Sequence, residues 1–395
     1  MMTDHKHLKR LVRARSARTG ESYTTARRHV LATAPGAVDV PVSPGAVDVP
    51  VSPGAAVPLV RHQPSDVVRR LLHAAGTELS EPMVCGLGGG IGFMTAVFEY
   101  RGRPPILTLV AQHHPAPWAP TVLRRLGIAF AESHSTTPAA ALQALRARLA
   151  DGLPVYCTVA AGRLPWRTRT DSGPGAATTF TDADPHGVLV TAEDPGGVTV
   201  HDAGPHRLPV EAFADAWSAH RKGRHHRLVV TGATPSTDLA TAVTAAVEET
   251  AAHLTGPVLG TAFDANFGFA GMTRLAAQLR DTTTRTGFAR RFAAPDAYAF
   301  LLRRVHECLE EQHTAPGATR PIYADFLDEA AGLTGRPRLA EAATALRASG
   351  AVWSAMAATA RESAGSAPAA VFAALADLLD EARVIEEAAV GLLRP

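Results

Sequence analysis

The sequence predicts an α+β protein, with a mixed α/β region over residues 57–235 followed by an all-α region over 236–395. Three observations carry this prediction. Short runs rich in β-branched residues recur between positions 93 and 231 with turn signals between them. From about Thr237 onward every segment spaces its apolar residues as a helix does. A Pro/Gly repeat then separates both regions from a basic N-terminal stretch. With 395 residues, 46% of them hydrophobic and 19% charged, the chain can bury two or three ordinary cores, which excludes wholesale disorder.

Taken in order, residues 5–17 and 22–33 read as two short helices with apolar positions Leu8, Leu11, Val12 and Tyr23, Val30, Leu31, broken at Thr19-Gly20. Residues 1–34 are assigned to a basic helical appendage, since residues 1–29 hold eight Lys/Arg against Asp4 and Glu21. The rest of the chain is mildly acidic and presents no basic face, so nucleic acid is not expected as a partner. The nonapeptide PGAVDVPVS then occurs twice in tandem from Pro35. Residues 35–56 are expected to form an extended linker, because Pro and Gly at this density disfavour a packed element.

Residues 65–75, SDVVRRLLHAA, put Val67, Val68, Leu71, Leu72 and Ala75 on one helical stripe, with Gly76 placed to end it and His62-Gln63-Pro64 before it. In LSEPMVCGLGGGIGF, residues 79–93, Ser80 can cap a short helix that runs into a glycine loop. Strands are expected at 93–100, 106–110, 154–160, 186–193, 197–202 and 226–231, with helices near 138–150 and 209–219. The last three strands lack full helical crossovers, so the sheet should be antiparallel or mixed. Helices follow at 237–254, 268–283, 296–313, 321–333, 337–360 and 368–393, and a cleft between the two regions is the default ligand site.

No stretch approaches the roughly 18 uninterrupted apolar residues of a membrane span, and no apolar run follows the basic N-terminus, so a cytoplasmic protein with no membrane partner is expected. Cys85, Cys157 and Cys308 are far apart and form no CxxC pair, which excludes a thiolate zinc site by spacing. His306-Glu307-Cys308-Leu309-Glu310 begins like a metalloprotease helix but has Glu310 where a second His is needed, and reads as a solvated face. Neighbours in the doublets His113-His114 and His225-His226 point to opposite sides of a strand, so no metal is assigned.

Two features carry chemistry. The glycine loop fails both GxGxxG and the P-loop pattern, because the third positions are Ile91 or Phe93 and no Lys-Ser/Thr pair follows. What remains in Gly88, Gly89, Gly90 and Gly92 is a backbone that a ligand can approach closely, with N–H groups suited to a thioester carbonyl or an oxyanion, or else a tight turn at a crowded junction. His186 and Asp202 begin and end the hairpin HGVLVTAE-DPGG-VTVHD. A turn centred on Pro195-Gly196 makes paired positions sum to about 391, which brings His186 within a few residues of Asp202 at one sheet end. An imidazole beside a carboxylate is the base-and-orienter half of a nucleophilic or acyl-transfer site.

The glycine segment, the helix after His62, the strands from His186 to Asp202, and the helical stretches YADFLDEAAGL and ALRASGAVWSAMA resemble the butirosin biosynthesis protein H family over roughly residues 58–360. The resemblance implies a papain-like, cysteine-peptidase-like N-terminal domain followed by a helical C-terminal domain. It also implies acyl or aminoacyl transfer in secondary (antibiotic) metabolism, from the phosphopantetheine thioester of an acyl or peptidyl carrier protein to a small-molecule amine. No other cofactor is implied. His186 becomes the base, Asp202 its orienter, and His62 with Gly88, Gly89, Gly90 and Gly92 the substrate-binding surface.

The chain departs from the family at one position, because Gln63 stands where the family generally has a cysteine at the start of the first core helix. A carboxamide forms no acyl-enzyme. Three readings follow: direct aminolysis with His186 as base and Gln63 as a carbonyl donor; a nucleophile moved to Cys85 or Ser65; or an inactive binding and scaffold partner. Hydrolysis by cysteine-peptidase chemistry is a fourth and suffers most from the missing thiol. Transfer between molecules, cyclisation within one, and pairing into a homodimer are all left open.

Overall fold

The computed structural model describes residues 60–167 and 184–394, apart from the single positions 233, 313 and 364. The expected appendage at 1–34 and linker at 35–56 lie outside the described residues. Among the described residues are twelve α-helices and eight strands, an α+β composition.

Helix α1 (Gln63–Ala74) opens with Pro64 in its first turn and buries Val67, Val68, Leu71 and Leu72 along the expected stripe. Gly76, at φ +83°, turns the chain away after it. Helix α2 (Glu81–Leu87) starts at Ser80, whose hydroxyl accepts from the Met83 amide at 3.0 Å as the sequence predicts. Strands β1 (Ile91–Phe98) and β2 (Ile106–Gln112) form a two-stranded antiparallel ladder.

Six further strands make one antiparallel sheet in the order β3-β8-β4-β5-β6-β7: β3 (Phe130–Ser133), β4 (Val155–Ala160), β5 (Pro185–Asp194), β6 (Gly197–His201), β7 (Pro205–Leu208) and β8 (Arg227–Val230). The antiparallel expectation is met. Helices α3 (Trp118–Leu126), α4 (Pro138–Ala150) and α5 (Val210–Ala219) punctuate it. The sequence reading misses α3, which carries Pro120 near its start, and both edge strands, β3 and β7. Each edge strand has four residues, and β7 begins with a proline; such short, polar edges give little periodic signal.

The helical half comprises α6 (Leu239–Thr255), α7 (Gly268–Arg280), α8 (Phe288–Arg291), α9 (Pro295–Glu310), α10 (Arg320–Thr334), α11 (Arg338–Glu362) and α12 (Pro368–Leu393). Residues 306–310 correct the sequence expectation of a solvated face: Glu307 and Cys308 are buried, with Glu307 accepting from Arg304 at 3.1 Å.

Core packing does not stop where secondary structure changes at 235/236. One face of the sheet, lined in β4 by Val155, Cys157 and Val159, packs on Phe213 and Trp217 of α5. A second core joins Val67 and Leu71 of α1 and Val84 of α2 to Val243 of α6, Phe326 of α10 and Leu346 of α11. A third joins Phe93 and Leu109 of the β1–β2 ladder to Leu275 of α7, Leu301 of α9 and Trp353 of α11. Arg320 spans the two halves: fully buried, it pairs with Glu386 at 2.8 Å and donates to the carbonyls of Ala111 and Gly92. The space between the regions at these points is apolar core and a buried ion pair.

Candidate functional site

The β5–β6 hairpin builds the first part of the site. Near its turn, Asp194 pairs with Gly197 and Ala192 with Thr199, the register read from the sequence. A bulge between Val190 and Ala192 then shifts it by one, so Val190 pairs with Val200 and Leu189 with His201. Carried one rung further, this register sets Asp202 across from Val188, a position that shares His186's face. Without the bulge Asp202 would oppose Leu189 and point to the other side.

His186 Nε2 lies 3.0 Å from Asp202 Oδ1, and both side chains are buried. Asp202 also accepts from Arg167, Nε at 2.6 Å and Nη2 at 2.9 Å, and from Trp166 Nε1 at 2.8 Å. Burial alone would raise its pKa; the hydrogen bonds from His186 and Arg167 outweigh burial and hold the carboxyl well below the usual carboxylate range. Arg167 and Trp166 come from the 3₁₀ turn after β4, and no sequence signal marked them.

On the other side of the hairpin, His201 Nε2 sits 2.6 Å from Asp66 Oδ2, a second buried His–Asp pair that fastens α1 to β6. Gln63, at the first position of α1, donates from Nε2 to the Gly187 carbonyl at 2.8 Å. The start of α1 is thereby tied to the residue that follows His186.

The remaining predicted residues do not converge on His186. His62 is fully buried, with Nδ1 2.7 Å from Ser65 Oγ and Nε2 2.8 Å from Gln112 Oε1. Burial, partly offset by Gln112, lowers its pKa to about 4. Ser65 therefore faces His62 and is sealed from solvent. Cys85 is fully buried, and burial pushes its thiol far above the ordinary range, so it is not a thiolate at neutral pH. The expectation of a relocated nucleophile at Cys85 or Ser65 fails on this burial.

The glycine loop also differs from expectation. The amides of Gly88, Gly89 and Gly90 donate within the loop and α2, to Val84, Gly86 and Cys85. A Cβ at Gly88 would meet the Trp118 ring, at Gly89 the His113 ring, and at Gly90 the Tyr323 ring; at Gly92 it would meet the Gln112 carbonyl. Glycine is required here by close approach of neighbours, and the loop is buried. The crowded-junction reading fits this packing, and the amides of Gly88, Gly89 and Gly90 are already engaged within the loop and α2.

One constellation escaped sequence reasoning. His113, just after β2, lies beside Glu249 and His253 of α6, with one ligand atom from each within 4.8 Å of the others. Glu249 and His253 are four residues apart and so share a helix face, a signal legible in the sequence. His113 comes from 140 residues away, which no local spacing reveals.

Residues 62–202 match the family model described as Butirosin biosynthesis protein H, N-terminal, and residues 212–393 match a domain of unknown function (DUF4872). No curated protein matches the chain. No helix among the described residues is long and apolar enough to cross a membrane. The first match begins at His62, the residue before the helix that carries Gln63, and ends at Asp202, so it brackets α1, the glycine loop and the hairpin just described. Over residues 62–202 the chain is similar to the N-terminal domain of the butirosin biosynthesis protein H family.

Proposed function

We propose that the chain transfers an acyl or aminoacyl group from a carrier-protein phosphopantetheine thioester to a small-molecule amine in a biosynthetic pathway. The observation that carries this reading is the buried His186–Asp202 pair at 3.0 Å, on the strand to which Gln63 of α1 is bonded. A helix start abutting a strand that bears the histidine, with the acid on the next strand, supports a papain-like arrangement for the N-terminal domain.

Held against Asp202, His186 is the group that handles the proton. The amine nitrogen attacks the thioester carbonyl carbon, the C–S bond breaks, and His186 passes the amine proton to the leaving sulfur, giving an amide and a free thiol. The thioester is already activated, so no acyl-enzyme is needed; proximity and orientation contribute on the order of 7–11 kcal/mol. Gln63 contributes its second N–H to the thioester oxygen. Peptidase-like hydrolysis is less well supported, because an unactivated amide needs a strong nucleophile and Cys85 is buried.

Turnover of an acyl-N-acetylcysteamine thioester with an amine should fall about 10²–10⁴-fold in His186→Ala. Intact-mass spectrometry should show no acyl adduct on the wild type and a covalent adduct at position 63 in Gln63→Cys. A wild-type rate in His186→Ala would overturn the assignment. A second reading, a carrier-binding scaffold without turnover, draws on Arg167 already occupying both oxygens of Asp202. Carrier binding with no amide formed would select it.

A further inference from the structure

The cluster at His113, Glu249 and His253 stands outside the His186–Asp202 pair and has no part in the proposed acyl transfer. His113 Nδ1 lies 3.2 Å from His253 Nδ1, and Glu249 Oε1 lies 3.8 Å from His113 Nε2 and 4.0 Å from His253 Nε2. Four-coordinate zinc holds its nitrogen and oxygen ligands at about 2.0–2.2 Å, which separates neighbouring ligand atoms by roughly 3.3 Å. The Nδ1 atoms of the two imidazoles already have this spacing, whereas Glu249 Oε1 lies nearest their Nε2 atoms, so a shared ion requires the side chains to reorient within a cluster whose ligand atoms all lie within 4.8 Å of one another.

Two further observations point to a ligand. The side chain of His113 is fully buried, and its Nε2 has no hydrogen-bond partner among the described residues, although burying such a group unpaired is costly. Arg125 binds Glu249 Oε2 at 2.5 Å and is fixed in turn by a hydrogen bond to the Leu87 carbonyl. That contact orients the carboxylate so that Oε1 faces the two imidazoles, the role outer partners play around metal ligands. Glu249 and His253 are partly exposed, so the cluster has an entry path from solvent.

We propose that His113, Glu249 and His253 form a binding site for a divalent cation of the zinc class, with a fourth position open to water or an anionic ligand. Two imidazoles and one carboxylate favour Zn²⁺ or Co²⁺ over the oxygen-seeking Mg²⁺ and Ca²⁺. The site ties the segment after β2 to α6, and its metal reinforces the contact between the glycine loop and the helical half.

The test is metal uptake by the full chain, independent of any activity. Titration with Zn²⁺ against a chromophoric chelator, and with Co²⁺ by its visible absorption, is expected to give one equivalent that raises the melting temperature. Glu249→Gln and His253→Ala, both at partly exposed positions, should each weaken that equivalent at least tenfold with unchanged far-ultraviolet dichroism, while His306→Ala should leave it intact. Absence of uptake by the wild type, or wild-type affinity in both cluster variants, would overturn the site. Failure of the acyl-transfer reading would leave this result untouched, because neither His186 nor Asp202 enters it.

Discussion

Two histidines are buried so thoroughly that protonating them opposes folding. His62 and His113 each have a pKa lowered to about 4, in both cases chiefly by burial. Their native forms bind fewer protons than the unfolded chain, so the stability tied to each is complete above the ordinary histidine value and is lost as pH falls from about 6.5 towards 4. Each should contribute a loss of roughly 2 kcal/mol between pH 7 and pH 5. Urea denaturation at the two pH values is expected to show that loss, with a smaller one in His113→Gln. An equal loss in that variant would assign the pH dependence to other groups.

At the scale of elements, one bulge and one loop decide where the side chains go. The extra residue in β5 moves the register from Val190 towards the start of the strand and puts His186 and Asp202 on one face, which the unbroken hairpin count does not anticipate. The glycine loop acts through close packing. Gly90 sits at φ +59°, and a Cβ there would come within 2.1 Å of Tyr323 Cδ2. Gly90→Ala should therefore cost about 3 kcal/mol or more, from overpacking and left-handed backbone together. Gly102→Ala, where a Cβ meets nothing within 4 Å, is the control for backbone strain alone. Comparable losses for the two, measured by thermal melting, would show that Tyr323 packing is not the cause.

For the molecule as a whole, the change from mixed α/β to all-α at residue 235 is a change of secondary structure laid over a shared interior. Leu71 and Val84 share a core with Val243 and Phe326, and the β1–β2 ladder buries Leu109 against helices beyond residue 268. Arg320 reaches across to the Ala111 and Gly92 carbonyls while paired with Glu386, and all of these groups are buried. A fragment of residues 57–235 leaves these apolar faces open and removes the partners of two backbone carbonyls. It should show no cooperative urea transition, whereas the full chain should unfold in one. A sigmoidal transition in the fragment would establish two independently stable halves.

Sequence alone determined most helices and central strands, the Ser80 cap, and the proximity of His186 to Asp202, because hydrophobic period, capping chemistry and a tight turn act over a few residues. It also located Gln63 at the head of α1. Tertiary structure decided what those residues meet: the bulge that sets the face of Asp202, Arg167 and Trp166 on that carboxylate, and the burial that silences Cys85 and Ser65. It alone joined His113 to Glu249 and His253. Contacts of this kind close over tens to hundreds of residues, and their energies depend on packing and desolvation that no local pattern encodes.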